Sequence, residues 1–244
     1  MKTLLFIDTS IIIENCDSNV RLNQYKEGLT NILKHNNYFS ENNIDILLVD
    51  NTIDSYLDVS YCDFFNVITK NCNCVTYKNN NYGKKNKGSG VFEHWDMINI
   101  EIYKKYDYII HFEARQTLQS LHFFDIFLKN PTSIFSWSSK NPSAITGDFI
   151  KNDEKLQIEM FGLNINDIHT HPNFNDFYTG LFSMKMEHFL ELLKTTGAKY
   201  LIDEVISLEK IMMRFVHKNC DKFKIIEKVD LIRYIPLSNI VEHH

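Results

Sequence analysis

Three short apolar runs, each closing on a polar cluster, limit what this chain can fold into. The first, over Lys2–Ile7, runs into Asp8-Thr9-Ser10. The second, over Ile44–Val49, runs into Asp50-Asn51-Thr52, and Tyr108-Ile109-Ile110-His111-Phe112 into Glu113-Ala114-Arg115-Gln116. Runs this short and this continuous read as strands buried on both faces. Between them the spacing is helical: Leu22, Tyr25, Leu29, Ile32 and Leu33 repeat at three and four residues, and helices are expected near 91–105 and 118–128. Further short strands are expected at 74–77 and 133–137. Such alternation over the first 140 residues predicts an α/β fold, a Rossmann-type, mostly parallel sheet with helices on both faces. In sheets of that kind ligands bind beyond the carboxyl ends of the strands, where the three polar clusters fall. Strand ends are also polar simply because loops are solvated, and any one cluster is open to that reading.

The chain has 244 residues, 44% of them hydrophobic, enough for one large domain. A net charge of −5 argues against a partner bound through nucleic-acid phosphates. Cys16, Cys62, Cys72, Cys74 and Cys220 are odd in number and irregular in spacing, which reads as free thiols in a reducing compartment. No apolar run approaches the ~18–20 residues of a membrane span. Asp8 interrupts the only run near the N-terminus, so no secretory signal is expected and the cytoplasm is the expected location. Glu242-His243-His244 matches the start of a purification tag, and its histidines are left out of any metal argument.

From Asn141 the pattern changes. Residues 141–178 are irregular and hold Pro142, Gly147, Gly162 and Pro172. A strand is expected over Phe177–Met184, then a helix over Met186–Lys194 that Gly197 ends. A second helix over Tyr200–Val216 carries Leu201, Val205, Leu208, Met212 and Phe215 on one stripe. The expected organisation is one domain, with a nucleotide-binding half at 1–140 and an annex at 141–241.

Two local motifs carry chemistry. Lys84-Lys85-Asn86-Lys87-Gly88-Ser89-Gly90 precedes a helix; it lacks the order of a P-loop, yet glycines and a helix start favour a bound anion. A solvated turn is the alternative. The opening LLFIDTSIIIE resembles PIN-domain nucleases, in which a strand-end Asp helps bind a divalent metal; that requires further acids converging later in the chain.

The order of motifs over most of the chain resembles GT-A-type glycosyltransferases. The residues that carry the resemblance are FIDTS at 6–10, LLVDNT at 47–52, NKGSGVFEHW at 86–95, YDYIIHFEARQ at 106–116, DFYTGLFSMKMEHF at 176–189 and LIDEVISLEK at 201–210. The resemblance implies a nucleotide sugar as donor, UDP-linked by the commonest pattern, and transfer of a hexose or deoxyhexose to a glycan hydroxyl. It puts the base and ribose against Asp8, Thr9, Ser10 and Asp50, with Asn86, Lys87, Gly88 and Gly90 beside the nucleotide. The fourth strand of the family ends in D-x-D, which binds a divalent cation, Mn²⁺ or Mg²⁺. Here that place reads Glu113-Ala114-Arg115, so Glu113 is the one candidate metal ligand, and Arg115 could take over the diphosphate. A structural Glu113–Arg115 ion pair is the plain alternative, and the missing second D-x-D carboxylate leaves open a catalytically inactive nucleotide-sugar-binding protein. An acidic start to a late helix implies a general base among Asp203, Glu204 and Glu209, with Asp176 or His171 next in line. His169-Thr170-His171 lacks a third ligand and reads as surface or acceptor contact.

Overall fold

The computed structural model describes residues 1–13, 18–56, 62–137, 177–219, 222–227, 229–234 and 241–243. The segment 138–176, with His169, His171 and Asp176, therefore lies outside the described residues. Chain order runs β1 (Thr3–Thr9), α1 (Ser18–Leu33), α2 (Asn36–Glu41), β2 (Ile44–Asp50), α3 (Cys62–Asn71), β3 (Asn73–Thr76), α4 (Lys87–Met97) and α5 (Ile100–Tyr103). It continues with β4 (Tyr108–Glu113), β5 (Gln116–Leu118), α6 (His122–Lys129), β6 (Ser133–Trp137), β7 (Phe177–Lys185), α7 (Met186–Thr195), α8 (Ala198–Asp203), α9 (Leu208–Lys218), β8 (Phe223–Ile226), β9 (Leu231–Tyr234) and β10 (Val241–His243).

Seven strands make one sheet in the order β3-β2-β1-β4-β7-β6-β8. Six run the same way and only β7 is reversed, antiparallel to both β4 and β6. The α/β expectation of a mostly parallel sheet flanked by helices is what the chain forms. Its apolar runs follow from burial on both faces. Leu4 and Phe6 join one core with Phe92, Trp95, Phe182 and Phe189, while Leu5 and Ile7 join the other with Tyr25, Leu29, Phe39 and Phe124. Strands β7 and β8 extend the sheet begun by the first half.

Three local expectations are corrected. The helix expected over Tyr200–Val216 is two helices, because Val205 takes φ 52° and Ser207 caps a new start, its Oγ accepting from Lys210 N at 3.3 Å. The helix expected near 91–105 begins at Lys87 and ends at Met97, with α5 separate. The helix expected near 118–128 begins at His122, and Leu118 instead ends β5, which pairs antiparallel with β9 in a small sheet ordered β10-β9-β5, so Glu242 and His243 lie in a strand. No helix among the described residues is long and apolar enough to cross a membrane. Cys72 and Cys74 are free thiols, half-buried, with sulfurs 3.8 Å apart.

Candidate active site

Parallel register brings the polar strand ends together. Asp8 stands opposite Glu113 on β4, and Thr9 opposite Asp50 on β2. These two pairings build two different clusters on the same edge.

At the β1–β2 end, Asp50 is fully buried and accepts four hydrogen bonds. Thr52 N and Thr52 Oγ1 each donate to Oδ1 at 2.6 Å, Thr9 Oγ1 donates to Oδ2 at 2.8 Å, and Ile11 N donates to Oδ2 at 3.0 Å. Burial raises the Asp50 pKa, and these bonds act against that rise. The Tyr56 hydroxyl lies 2.7 Å from Thr9 Oγ1. Asp50 and Thr9 therefore hold the two loops after β1 and β2 to each other. Ser10, half-buried, is nearer the open side; its Oγ donates to Asn51 Oδ1 at 3.0 Å, and its N–H to the Tyr25 hydroxyl at 2.9 Å.

At the β1–β4 end the groups are less satisfied. Arg115 Nη2 donates to Glu113 Oε1, while Gln116 Nε2 donates to Glu113 Oε2 at 3.3 Å. The Tyr178 hydroxyl in turn donates to Gln116 Oε1, so Tyr178, Gln116, Glu113 and Arg115 form one chain. The Arg115 side chain is 9% exposed, and its Nε and Nη1 have no hydrogen-bond partner among the described residues. Burial alone would lower its pKa, but the Glu113 carboxylate more than reverses that, so the guanidinium stays charged. The Tyr25 ring lies 5.9 Å from its centre. Asp8 Oδ1 faces His111 Nε2 at 3.5 Å without a hydrogen bond. Burial first, then Glu113, pushes the Asp8 carboxyl well up, with Arg115 opposing. Burial pushes His111 down to about 3, so it is neutral.

Helix α1 sets this corner. Gly28 comes so close to the Ala114 carbonyl that a β-carbon would overlap it. Three residues on, Asn31 Oδ1 accepts from Leu118 N at 2.7 Å. Gly180 serves Gln116 in the same way, since a β-carbon there would strike Gln116 Nε2.

The glycine segment has a different place from a loop cradle. Gly88, Ser89 and Gly90 are buried within the first turn of α4. Asn86 caps that turn, its Oδ1 accepting from Gly88 N at 2.9 Å and Ser89 N at 3.4 Å. Its Nδ2 donates to the carbonyls of Leu201 and Ile206 at 3.3 and 3.1 Å, spanning the break between α8 and α9. A β-carbon on Gly88 would sit 2.7 Å from Leu208 Cβ, so the glycine brings α4 close to α9. The amides of Tyr82 and Gly83 donate to the Glu93 carboxylate at 3.0 and 3.1 Å, and a carboxylate of the chain itself occupies that nest. Lys87 is exposed.

The three late carboxylates part company at the break. Asp203 is paired with Lys199 on the outer side of α8, and Glu204 is exposed at its end. Glu209, in the first turn of α9, accepts from Thr179 Oγ1 at 3.2 Å, next to Gly180 and so to the Gln116 chain.

The resemblance implies a divalent metal at the end of β4, and the residues there do not fit one. Both Glu113 oxygens accept from side-chain N–H groups, and position 115 offers a cation. Among the described residues no three His, Cys, Asp or Glu side chains converge on a metal-sized site. Beside Asp8 the described residues bring Glu113 but no third acid of the kind a metal-dependent nuclease needs.

The structure also brings Tyr25, Asn51, Gln116 and Tyr178 to this edge, and none of them was given a role from the sequence, though Asn51 and Gln116 stand in the polar clusters. Tyr25 stood on the helical stripe and read as core; Gln116 closed the β4 cluster and was passed over for Arg115.

No protein-family model and no curated protein matches this chain. Among solved structures it is similar to the mannosyltransferase PcManGT from Pyrobaculum calidifontis, in complex with GDP-Man and Mn²⁺, at 13% identity and a TM-score of 0.49. That match covers 94% of this chain, which spans 55% of the other's length. It is similar to mouse xyloside xylosyltransferase 1 at 10% identity and a TM-score of 0.47, covering 92% and 84% of the two chains. The galactosyltransferase LgtC matches at 8% identity and a TM-score of 0.44, covering 91% and 72%. At such values the likeness assigns no role to any residue here.

Proposed function

We propose that the chain is a GT-A-like glycosyltransferase that moves a hexose or deoxyhexose from a nucleotide sugar, UDP-linked, to a glycan hydroxyl. The observation that carries this reading is the convergence of Asp8, Ser10, Glu113 and Arg115 on one carboxyl edge, with Glu209 approaching from α9 through Thr179. The sequence resemblance to that family supports it independently of the geometry. In this reading Ser10 and Asn51 lie by the nucleoside, and Asp50 and Asn86 shape the loops around it. Arg115 takes the diphosphate and offsets the negative charge that develops as it leaves. Glu209 is the base: it accepts the acceptor hydroxyl's proton while that oxygen attacks the anomeric carbon and the bond to the diphosphate breaks. Asp203 and Glu204 point away from this chemistry.

The test is single-turnover transfer with a panel of nucleotide sugars. Glu209→Gln is expected to cut the rate by about 10²–10⁴ with donor binding retained. Asp203→Asn is expected to match wild type. Equal rates for Glu209→Gln and wild type would remove the base from α9. Donor binding without transfer by wild type, to any acceptor tried, would favour an inactive nucleotide-sugar-binding protein.

A further inference from the structure

We infer that Arg115 is a metal-independent oxyanion site, binding the donor's diphosphate with the N–H groups of Nε and Nη1; the inference rests on the nucleotide-sugar reading above. Three observations carry it. Arg115 is buried, at 9% exposure, yet among the described residues only its Nη2 is bonded. A buried guanidinium N–H without an acceptor is costly, so a site that keeps two of them is built to receive one. They sit on either side of the bonded Nη2, which suits the several oxygens of a diphosphate better than one carboxylate.

The guanidinium is also held in place from behind. Tyr178 fixes Gln116, Gln116 fixes Glu113, and Glu113 fixes Nη2. That chain consumes both Glu113 oxygens, the pair a divalent cation would need. Arg21 adds a second buried cation nearby, its Nη2 donating to the Tyr25 hydroxyl at 3.1 Å and its Nε to the Ser10 carbonyl. At the β1–β4 end the Arg115 and Arg21 guanidiniums thus stand against the Glu113 carboxylate, beside an Asp8 carboxyl that burial pushes well up. Such a balance draws an anion and repels a metal ion. The free N–H groups are covered as the chain stands, so an oxyanion reaches them by shifting side chains over the site; charge-assisted hydrogen bonds offset that cost.

The experiment is calorimetric titration of UDP and GDP into the full chain, with EDTA and with Mn²⁺. Wild type is compared with Glu113→Gln/Arg115→Gln, which removes both charges together and avoids stranding a buried carboxylate. Binding in EDTA is expected, with Mn²⁺ leaving Kd in the same order of magnitude. The double variant is expected to weaken it by about ten- to a hundredfold. Arg115→Lys, which keeps the charge but not the spread of donors, is expected to fall between. Binding that requires Mn²⁺, or a cooperatively folded double variant that binds as wild type does, overturns the inference and leaves the transferase reading standing. Absence of binding to either nucleotide in both buffers overturns both.

Discussion

Two clusters share the carboxyl edge of the sheet, and they are finished to different degrees. Around Asp50 every carboxylate oxygen has its donors, two backbone and two side-chain. One strand over, Asp8 Oδ1, His111 Nδ1 and the Arg115 Nε and Nη1 groups are buried and unpartnered among the described residues. Both clusters come from an acid at a strand end, and both are desolvated. The difference lies in what the following loop supplies. After β2, Thr52 turns its amide and hydroxyl back onto Asp50. After β4, Arg115 turns a long cation back onto Glu113 and has more donors than the described residues supply acceptors. A satisfied knot stabilises; an unsatisfied one spends stability on a ligand.

That contrast breaks first at Asp50. Asp50→Ala leaves buried amides without acceptors and is expected to destabilise by about 3 kcal/mol in chemical denaturation. A loss under about 1 kcal/mol would mean that the knot is not what holds the loops.

His111 sharpens the other side through pH. Its folded pKa, about 3, lies below the ordinary value of 6.5, so the unfolded chain binds the proton first as pH falls. Stability from this group is present above pH 6.5 and is lost on the way down, by up to about 1.4 kcal/mol per pH unit. Asp8, with a raised pKa, has the opposite sign, since the folded chain takes up its proton at higher pH. The difference between wild type and His111→Phe, measured by denaturation from pH 6.5 toward about 4, removes the Asp8 contribution to first order. A flat difference would show that His111 titrates normally.

The smallest effect is expected where the cluster is proposed to hold the donor. Glu113→Gln/Arg115→Gln should change stability by less than about 1 kcal/mol, since a buried ion pair repays little more than its own desolvation. A large loss would make the pair architectural, as at Asp50.

Much of the fold was legible because burial on both faces of a strand writes a continuous apolar run. β1, β2 and β4 were placed within two residues for that reason. The break at Val205 was not legible: a β-branched residue at φ 52° has no sequence signature, and the open carbonyls there are met by Asn86, over a hundred positions earlier. Ser207 was the one local signal of a new helix start, and the apolar stripe across it masked it.

The sequence by itself determined the strands, their acidic ends and the departure from D-x-D, because each is written in consecutive residues. Only the tertiary structure decided what those residues do. It spent Asp50 and Asn86 on loops and caps, joined Tyr25, Gln116 and Tyr178 to the edge, and turned Glu209 inward and Asp203 outward. Hydrogen-bond satisfaction is a count of partners brought from distant positions by strand register and helix packing, and that count does not exist until the sheet closes around it.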